Sequence, residues 1–263
     1  VEVLSEVEVL SSIASFARTH PTYAWPDVHD ETSGETKSPW RASGLGHPLI
    51  KAKSRRVNDF EVPQPGTLVL VTGSNMSGKS TFLRTLGLNT RLALAGAPVC
   101  AESLDLTACA LSTSIQVVDV PEEGWSRFYA EVKRIRGVLD DLGSADAGQG
   151  NPVFYLVDEM LSGTNSRERR LACRSIVRML ATTRRSFGLV TTHDLDLVQV
   201  DEDLDNRVLC AHFSDTFDGE TLTFDYTLKP GVAQTTNALQ VLRIEGIEVG
   251  DRSATKLEGA TSV

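Results

Sequence analysis

Hydrophobic residues fall into two kinds of pattern along this chain, and the two alternate. Leu68-Val69-Leu70-Val71, Val153 to Val157 and Phe187 to Thr192 are nearly continuous apolar runs, as strands buried on both faces require. Leu111 to Val118 reads as a further strand. Elsewhere apolar positions recur every three or four residues, which predicts helices over 2–18, Thr81 to Ala95, Trp125 to Leu142, Arg167 to Thr182 and Thr235 to Ile247. The first helix carries Val3, Val7, Leu10, Ala14 and Ala17 on one stripe, which packs either on the main domain or on a segment outside this chain. The third carries Phe128, Val132, Ile135 and Leu139 on one face. His47 to Ile50 and Val57 to Val62 are short strand-like pieces before Pro63 and Pro65. Val208 to Phe213 and Thr221 to Tyr226 form a hairpin turning at Asp218-Gly219. Val28 to Ser38 and Gly143 to Asn151 are polar, glycine-containing stretches expected to be loops, the second mobile. Residues 250–263 show no periodicity and read as a disordered tail. Strands alternating with helices predict an α/β domain with a mostly parallel sheet and helices on both faces. Residues 39–249 would form it, with 1–38 the end of a preceding helical segment and its linker.

Candidate chemistry collects where these runs end. Gly73-Ser74-Asn75-Met76-Ser77-Gly78-Lys79-Ser80 stands between a buried strand and a helix and fits G-x-x-x-x-G-K-[ST], a phosphate-binding loop. Phosphate oxygens must be met by several backbone N–H groups at once, and a Cβ at Gly73 or Gly78 would obstruct that approach. Lys79 supplies a point charge to the outer phosphates, Ser80 a hydroxyl to Mg²⁺, and the start of the helix, with Thr81, a positive dipole end. Asp158 and Glu159 follow the second buried run, Val153 to Val157. Asp158 would hold the metal through water, and Glu159 would orient and deprotonate an attacking water. His193 follows the next run, beside that pair, where it would sense the terminal phosphate. Asn58 lies in the strand-like segment expected beside the nucleotide.

Composition narrows the partners. The chain has 263 residues and a formal net charge of −9, so it does not advertise nucleic-acid binding over its whole surface. Any DNA contact would be local or come from segments outside it. Cys100, Cys109, Cys173 and Cys210 are widely spaced without a C-x-x-C pair, which favours reduced core thiols in a cytoplasmic protein over disulfides or zinc. No apolar run approaches the ~18 residues of a membrane span, and no signal peptide is visible. The chain opens at Val1 inside a helical pattern, which suggests a piece of something longer.

Thr72-Gly73-Ser74-Asn75-Met76-Ser77-Gly78-Lys79-Ser80-Thr81 resembles the TGPNMxGKST loop of the MutS family, and Asn-Met within it is the specific feature. The resemblance extends through His47-Pro48, Asn58-Asp59, Ala97 to Glu102, Ser126-x-Phe128-x-x-Glu131, Asp158-Glu159, Gly163-Thr164-Asn165-Ser166, Thr192-His193 and Tyr226-x-Leu228-x-x-Gly231. It covers roughly residues 40–250, and the first helix resembles the end of the family's lever segment. It implies an ABC-type P-loop ATPase using ATP and Mg²⁺, working as a homodimer. The segment at Ser126 would complete the partner's nucleotide site, and the loop from Ser162 to Ser166 would run along the interface. Donors delivered across an interface reach the last phosphate only when subunits close, so a monomer should hydrolyse slowly. The resemblance also implies a protein that clamps DNA.

Departures accompany it. Ser74 stands where the family usually has Pro, and Met160-Leu161-Ser162-Gly163-Thr164-Asn165-Ser166 stands where mismatch-repair members have a GRGTST loop. This version looks closer to a MutS-related branch outside mismatch repair. The position that often holds an adenine-stacking Phe is Arg55 on simple counting. Two other nucleotide enzymes fit less well: no LSGGQ-type sequence precedes Asp158, as an ABC transporter subunit would need, and no N-K-x-D motif reads guanine. A dimerisation module that binds nucleotide with little turnover remains the alternative.

Overall fold

The apolar run at Leu68 is buried along its whole length and becomes the strand from which both faces of the molecule are built. The structure is a computed structural model that describes residues 2–31, 38–115, 127–161, 166–194, 197, 204, 207–217 and 221–233. In chain order the elements are α1 (Glu2–Thr19), β1 (Asp27–His29), β2 (Trp40–Gly46), β3 (Val57–Val62), β4 (Leu68–Thr72), α2 (Lys79–Leu94), β5 (Ser103–Thr107) and β6 (Ala110–Ser114). They continue with α3 (Arg127–Asp146), β7 (Val153–Asp158), α4 (Ser166–Thr182), β8 (Ser186–Thr192), β9 (Val208–Phe217) and β10 (Leu222–Pro230). The main sheet has the order β10-β9-β4-β8-β7-β6, parallel throughout except for the antiparallel edge strand β10. A smaller sheet has the order β1-β5-β2-β3.

Strand alternation sends successive residues to opposite sides, so each buried strand feeds two cores. Val69, Val71, Phe154, Leu156, Phe187 and Leu189 face α2 and the smaller sheet, in a cluster with Phe82, Leu86, Trp40 and Val62. Leu68, Leu70, Tyr155, Val157 and Val190 face α3 and α4, against Ile135, Leu142, Val177 and Leu180. Gly188 permits the closest approach between neighbouring strands, because a Cβ there would lie 2.2 Å from the Tyr155 carbonyl oxygen. The smaller sheet is tied to α2 by polar bonds inside the core: Trp40 Nε1 donates to Thr90 Oγ1 at 3.0 Å, and Asn89 Nδ2 donates to the Gly46 carbonyl at 3.0 Å. Asn89 Oδ1 in turn accepts the Cys100 N–H at 2.7 Å. Cys100, Cys109 and Cys173 are buried free thiols, and burial pushes Cys109 up to about 12.

Several expectations change. Asp27–His29 is a strand, not part of a loop, because it pairs in parallel with β5, whose mixed polar pattern conceals it too. Trp40–Gly46 is a strand with a register shift between Ala42 and Leu45, and such an irregularity breaks the alternation that would reveal it. His47 to Ile50 is a turn closed by the Ile50 N–H on the His47 carbonyl. Helix α3 continues through Asp146 into the stretch expected to be a loop: Ala145 is buried, and Asp146 accepts the N–H groups of Arg184 and Arg185. Its inward row is Ile135, Val138, Leu142 and Ala145, while Val132 is exposed. The stripe of α1 does not pack on the domain at its start, where Val3 is 74% and Leu10 66% exposed. Residues 116–118, the turn at Asp218-Gly219, the helix expected over Thr235 to Ile247 and the 250–263 tail lie outside the described residues. Among the described residues, no helix is long and apolar enough to cross a membrane.

Candidate functional site

Parallel strands deliver their carboxyl ends to one edge of a sheet, and in this chain three of those ends carry chemistry. The segment from Gly73 to Gly78 leaves β4 and turns into α2 with backbone angles that side chains resist. Gly73 has φ +146°, and a Cβ there would lie 2.8 Å from Ser77 Oγ and 2.9 Å from the Phe213 carbonyl oxygen. Gly78 caps α2 at φ 105° with no side-chain hydrogen bond to the first turn, so the amides at Lys79, Ser80 and Thr81 are left to the loop. Met76 also has positive φ and is exposed, with Asn75 beside it. Ser74 Oγ donates to Asp215 Oδ2 at 2.8 Å, fastening the loop to β9.

Lys79 folds back over its own loop. Its side chain is 4% exposed, and Nζ donates to the carbonyls of Gly73 and Ser74, each at 2.9 Å. Glu159 Oε1 lies 3.4 Å from that ammonium, and His193 Nδ1 lies 3.7 Å from the same carboxylate oxygen. The interaction with His193 is the largest influence holding Glu159 below the ordinary carboxylate value; burial opposes it, and the Lys79 charge reinforces it. Asp158 accepts a hydrogen bond from Thr191 Oγ1 at 2.6 Å, and that hydroxyl oxygen accepts the Glu159 N–H at 3.0 Å. One threonine on β8 thus orients both acids at the end of β7.

The turn carrying Glu159 is held out of ordinary backbone geometry. Glu159 and Leu161 have φ of 40° and 56°, costly for residues with a side chain. The buried carboxylate of Glu131 on α3 secures this turn by accepting the Leu161 N–H, and Cys173 Sγ on α4 donates to the Met160 carbonyl at 3.6 Å. Glu131 enters the sequence reading only within a motif. A lone acid between Ala130 and Ile135 on the inward row of a helix is the signal that could have marked it.

Asn58 is spent differently from its expected place beside a nucleotide. Its Nδ2 donates to the Tyr226 carbonyl at 3.1 Å and its Oδ1 accepts the Leu228 N–H at 2.7 Å, spanning the bulge of β10. The amide fixes Tyr226 at φ 54° with its ring over Gly78. Together they line a cleft of about 320 Å³ that adjoins the start of α2, bounded also by His47, Ile50, Arg56, Thr81 and Phe82. Sequence reasoning missed Tyr226 as a site residue. Its aromatic ring in a Tyr-x-Leu-x-x-Gly stretch reads as an ordinary hairpin strand.

Lys79, Asp158, Glu159 and His193 therefore share one end of the main sheet with the loop from Gly73 to Ser80, while Asn58 and Tyr226 sit at the adjoining cleft. Ser126 and residues 162–165 lie outside the described residues. The loop's features fit a polyanion: a floor where a Cβ would collide, a buried Ser77 hydroxyl with no hydrogen-bond partner, and an ammonium held against backbone carbonyls. The hydroxyl of Ser80 and the carboxylate of Asp158 are hard oxygen donors, which fit a magnesium ion.

Comparison with known proteins adds two findings. A family described as MutS domain V matches residues 69–254. The "DNA mismatch repair protein MutS" of Natronomonas pharaonis is 27% identical over 264 aligned positions, which cover 98% of this chain and 29% of that protein's length.

Proposed function

Since the chain belongs to the MutS domain V family, we propose that residues 39–249 form a P-loop domain of the ABC-ATPase type that binds and hydrolyses Mg·ATP. The observation that carries this reading is the convergence of Lys79 and His193, at 3.4 and 3.7 Å, on one carboxylate oxygen of Glu159 beside the loop from Gly73 to Ser80. The loop amides and Lys79 bind the phosphates, and Ser80 with Asp158 would hold Mg²⁺, whose positive charge offsets that of the phosphates. Thr191 keeps Asp158 oriented toward that task. Glu159, ionised because His193 and Lys79 favour its charged form, takes the proton of the attacking water. His193 senses the last phosphate through the Glu159 side of the site.

The parent assembly follows the same reading. Two copies close on ATP, Ser126 of each completing the other's site, and residues 1–38 pass the motion to a preceding segment that holds DNA. The relative's printed name supports a DNA-repair setting.

Glu159→Gln tests the core of the proposal. The variant keeps the shape of the site and removes its base, so ATP binding by calorimetry should persist while single-turnover hydrolysis falls about 10²–10⁴-fold. Unchanged hydrolysis removes Glu159 from the role. ATP that stays intact on the unaltered protein, in its dimeric form, favours the module with little turnover.

A further inference from the structure

The outer face of the smaller sheet carries chemistry that the nucleotide reading leaves unused. Burial alternates along β5, with Leu104 and Leu106 in the core, so Asp105 stands on the face turned away from it. Asp27 is in register with Asp105 across β1 and β5, and His29, two residues further along β1, shares their face. His29 Nε2 is 3.3 Å from Asp105 Oδ2 and 3.5 Å from Asp27 Oδ2. Arg41 stands opposite Asp105 on its other side, in β2, but its guanidinium donates to Glu61 on β3. Two carboxylates thus face each other across neighbouring strands, where like charges repel, with one imidazole nitrogen against both.

We infer that Asp27, His29 and Asp105 form a binding site for a divalent transition-metal ion of zinc's size. Among the described residues they are the one trio of His, Cys, Asp or Glu side chains whose ligand atoms all lie within 4.8 Å of one another. The spacing suits zinc. Ligand atoms about 2.0–2.2 Å from a tetrahedral centre lie about 3.3–3.6 Å apart, and the two edges at His29 Nε2 are 3.3 and 3.5 Å. The third edge joins the carboxylates, and Asp27, 74% exposed, has room to close it. Water from the open side supplies the fourth position. An imidazole nitrogen beside carboxylate oxygens suits zinc better than magnesium or calcium, which take oxygen ligands. The ion binds Nε2 as a neutral imidazole nitrogen, so a proton carried there is released, and the ion's charge then stands between the two carboxylates.

The ligands come from segments far apart in the chain, His29 and Asp105 being separated by 76 positions. β1 has only three paired positions on β5, with the Ala108 N–H donating to the His29 carbonyl at 2.8 Å beyond them. A bound ion therefore staples the segment that follows α1 onto β5. This site shares no residue with the nucleotide site, so the two stand or fall separately.

The test titrates zinc into the metal-free whole chain without nucleotide, in competition with a chromophoric chelator. It is repeated on Asp27→Asn, His29→Ala and Asp105→Asn, with His193→Ala as the control at the nucleotide site. The expected result is one equivalent whose affinity falls at least about tenfold in each of the three variants and is unchanged in His193→Ala. Zinc should also slow amide hydrogen exchange over residues 27–29 in the unaltered chain and leave it unchanged in His29→Ala. Asp27→Asn, at a largely exposed position, carries the test if another variant misfolds. Absence of zinc binding, or equal affinity in the unaltered chain and the three variants, overturns the inference and leaves a histidine shared by two carboxylates. Zinc binding lost only in His193→Ala belongs to the other site and overturns it as well.

Discussion

The loop from Gly73 to Ser80 and the cleft beside it touch at Gly78, yet they are made in opposite ways. In the loop almost every constraint is backbone: positive φ at Gly73 and Gly78, amides at a helix start, and a buried lysine folded over two carbonyls. In the cleft the constraints are side chains borrowed from distant strands, with one amide holding one aromatic ring in place. Substitution should therefore be harsher in the loop, where the backbone has no alternative, than in the cleft, where neighbouring side chains can adjust.

That contrast can be broken at several points. The largest expected effect is Gly73→Ala, whose new methyl would press on Ser77 Oγ and the Phe213 carbonyl; ATP affinity by calorimetry should fall about a hundredfold or more. An unaffected Kd would mean that the loop is not shaped for phosphate. Next is Tyr226→Ala, which removes an exposed ring beside the start of α2; base–aromatic stacking contributes ~1–3 kcal/mol in nucleic-acid complexes, so nucleotide affinity should fall about tenfold. An unchanged affinity would place the base away from this ring. Asn58→Ala should act through the cleft and the bulge of β10 that it holds, weakening nucleotide about fivefold while leaving inorganic phosphate binding unchanged.

The smallest effect concerns pH. Glu159 has a folded value below its ordinary 4.5, so its ionised form stabilises the fold. That contribution is present above the unfolded value and is lost as pH falls through the lowered folded value. Thermal unfolding should show the unaltered protein more stable than Glu159→Gln above about pH 5, with the gap closing in more acid solution. A gap that widens on acidification would contradict the ion-pair geometry at Lys79 and His193.

Legibility follows the same division. The loop from Gly73 to Ser80 could be read because its residue types answer local demands, and Leu68 to Val71, Val153 to Val157 and Phe187 to Thr192 because burial on both faces leaves few polar positions. The smaller sheet could not: β1 has three residues, β5 mixes Ser, Asp and Thr with two buried leucines, and β2 is broken by its register shift. Helix α3 runs past its expected end because Asp146 finds its partners in Arg184 and Arg185, some forty residues away by sequence.

By itself, the sequence determined the period of the long helices and the three fully buried strands, the glycines of the loop from Gly73 to Ser80, and which residue types stand at the strand ends. Those are properties of neighbours along a chain, and local sterics and burial decide them. Only the tertiary structure decided that Glu131 would secure the turn at Leu161, that Thr191 would orient both acids, and that Asn58 would hold Tyr226 over Gly78 from 168 positions away. Each of those contacts depends on which faces meet after the sheets have packed, and no local pattern carries that information.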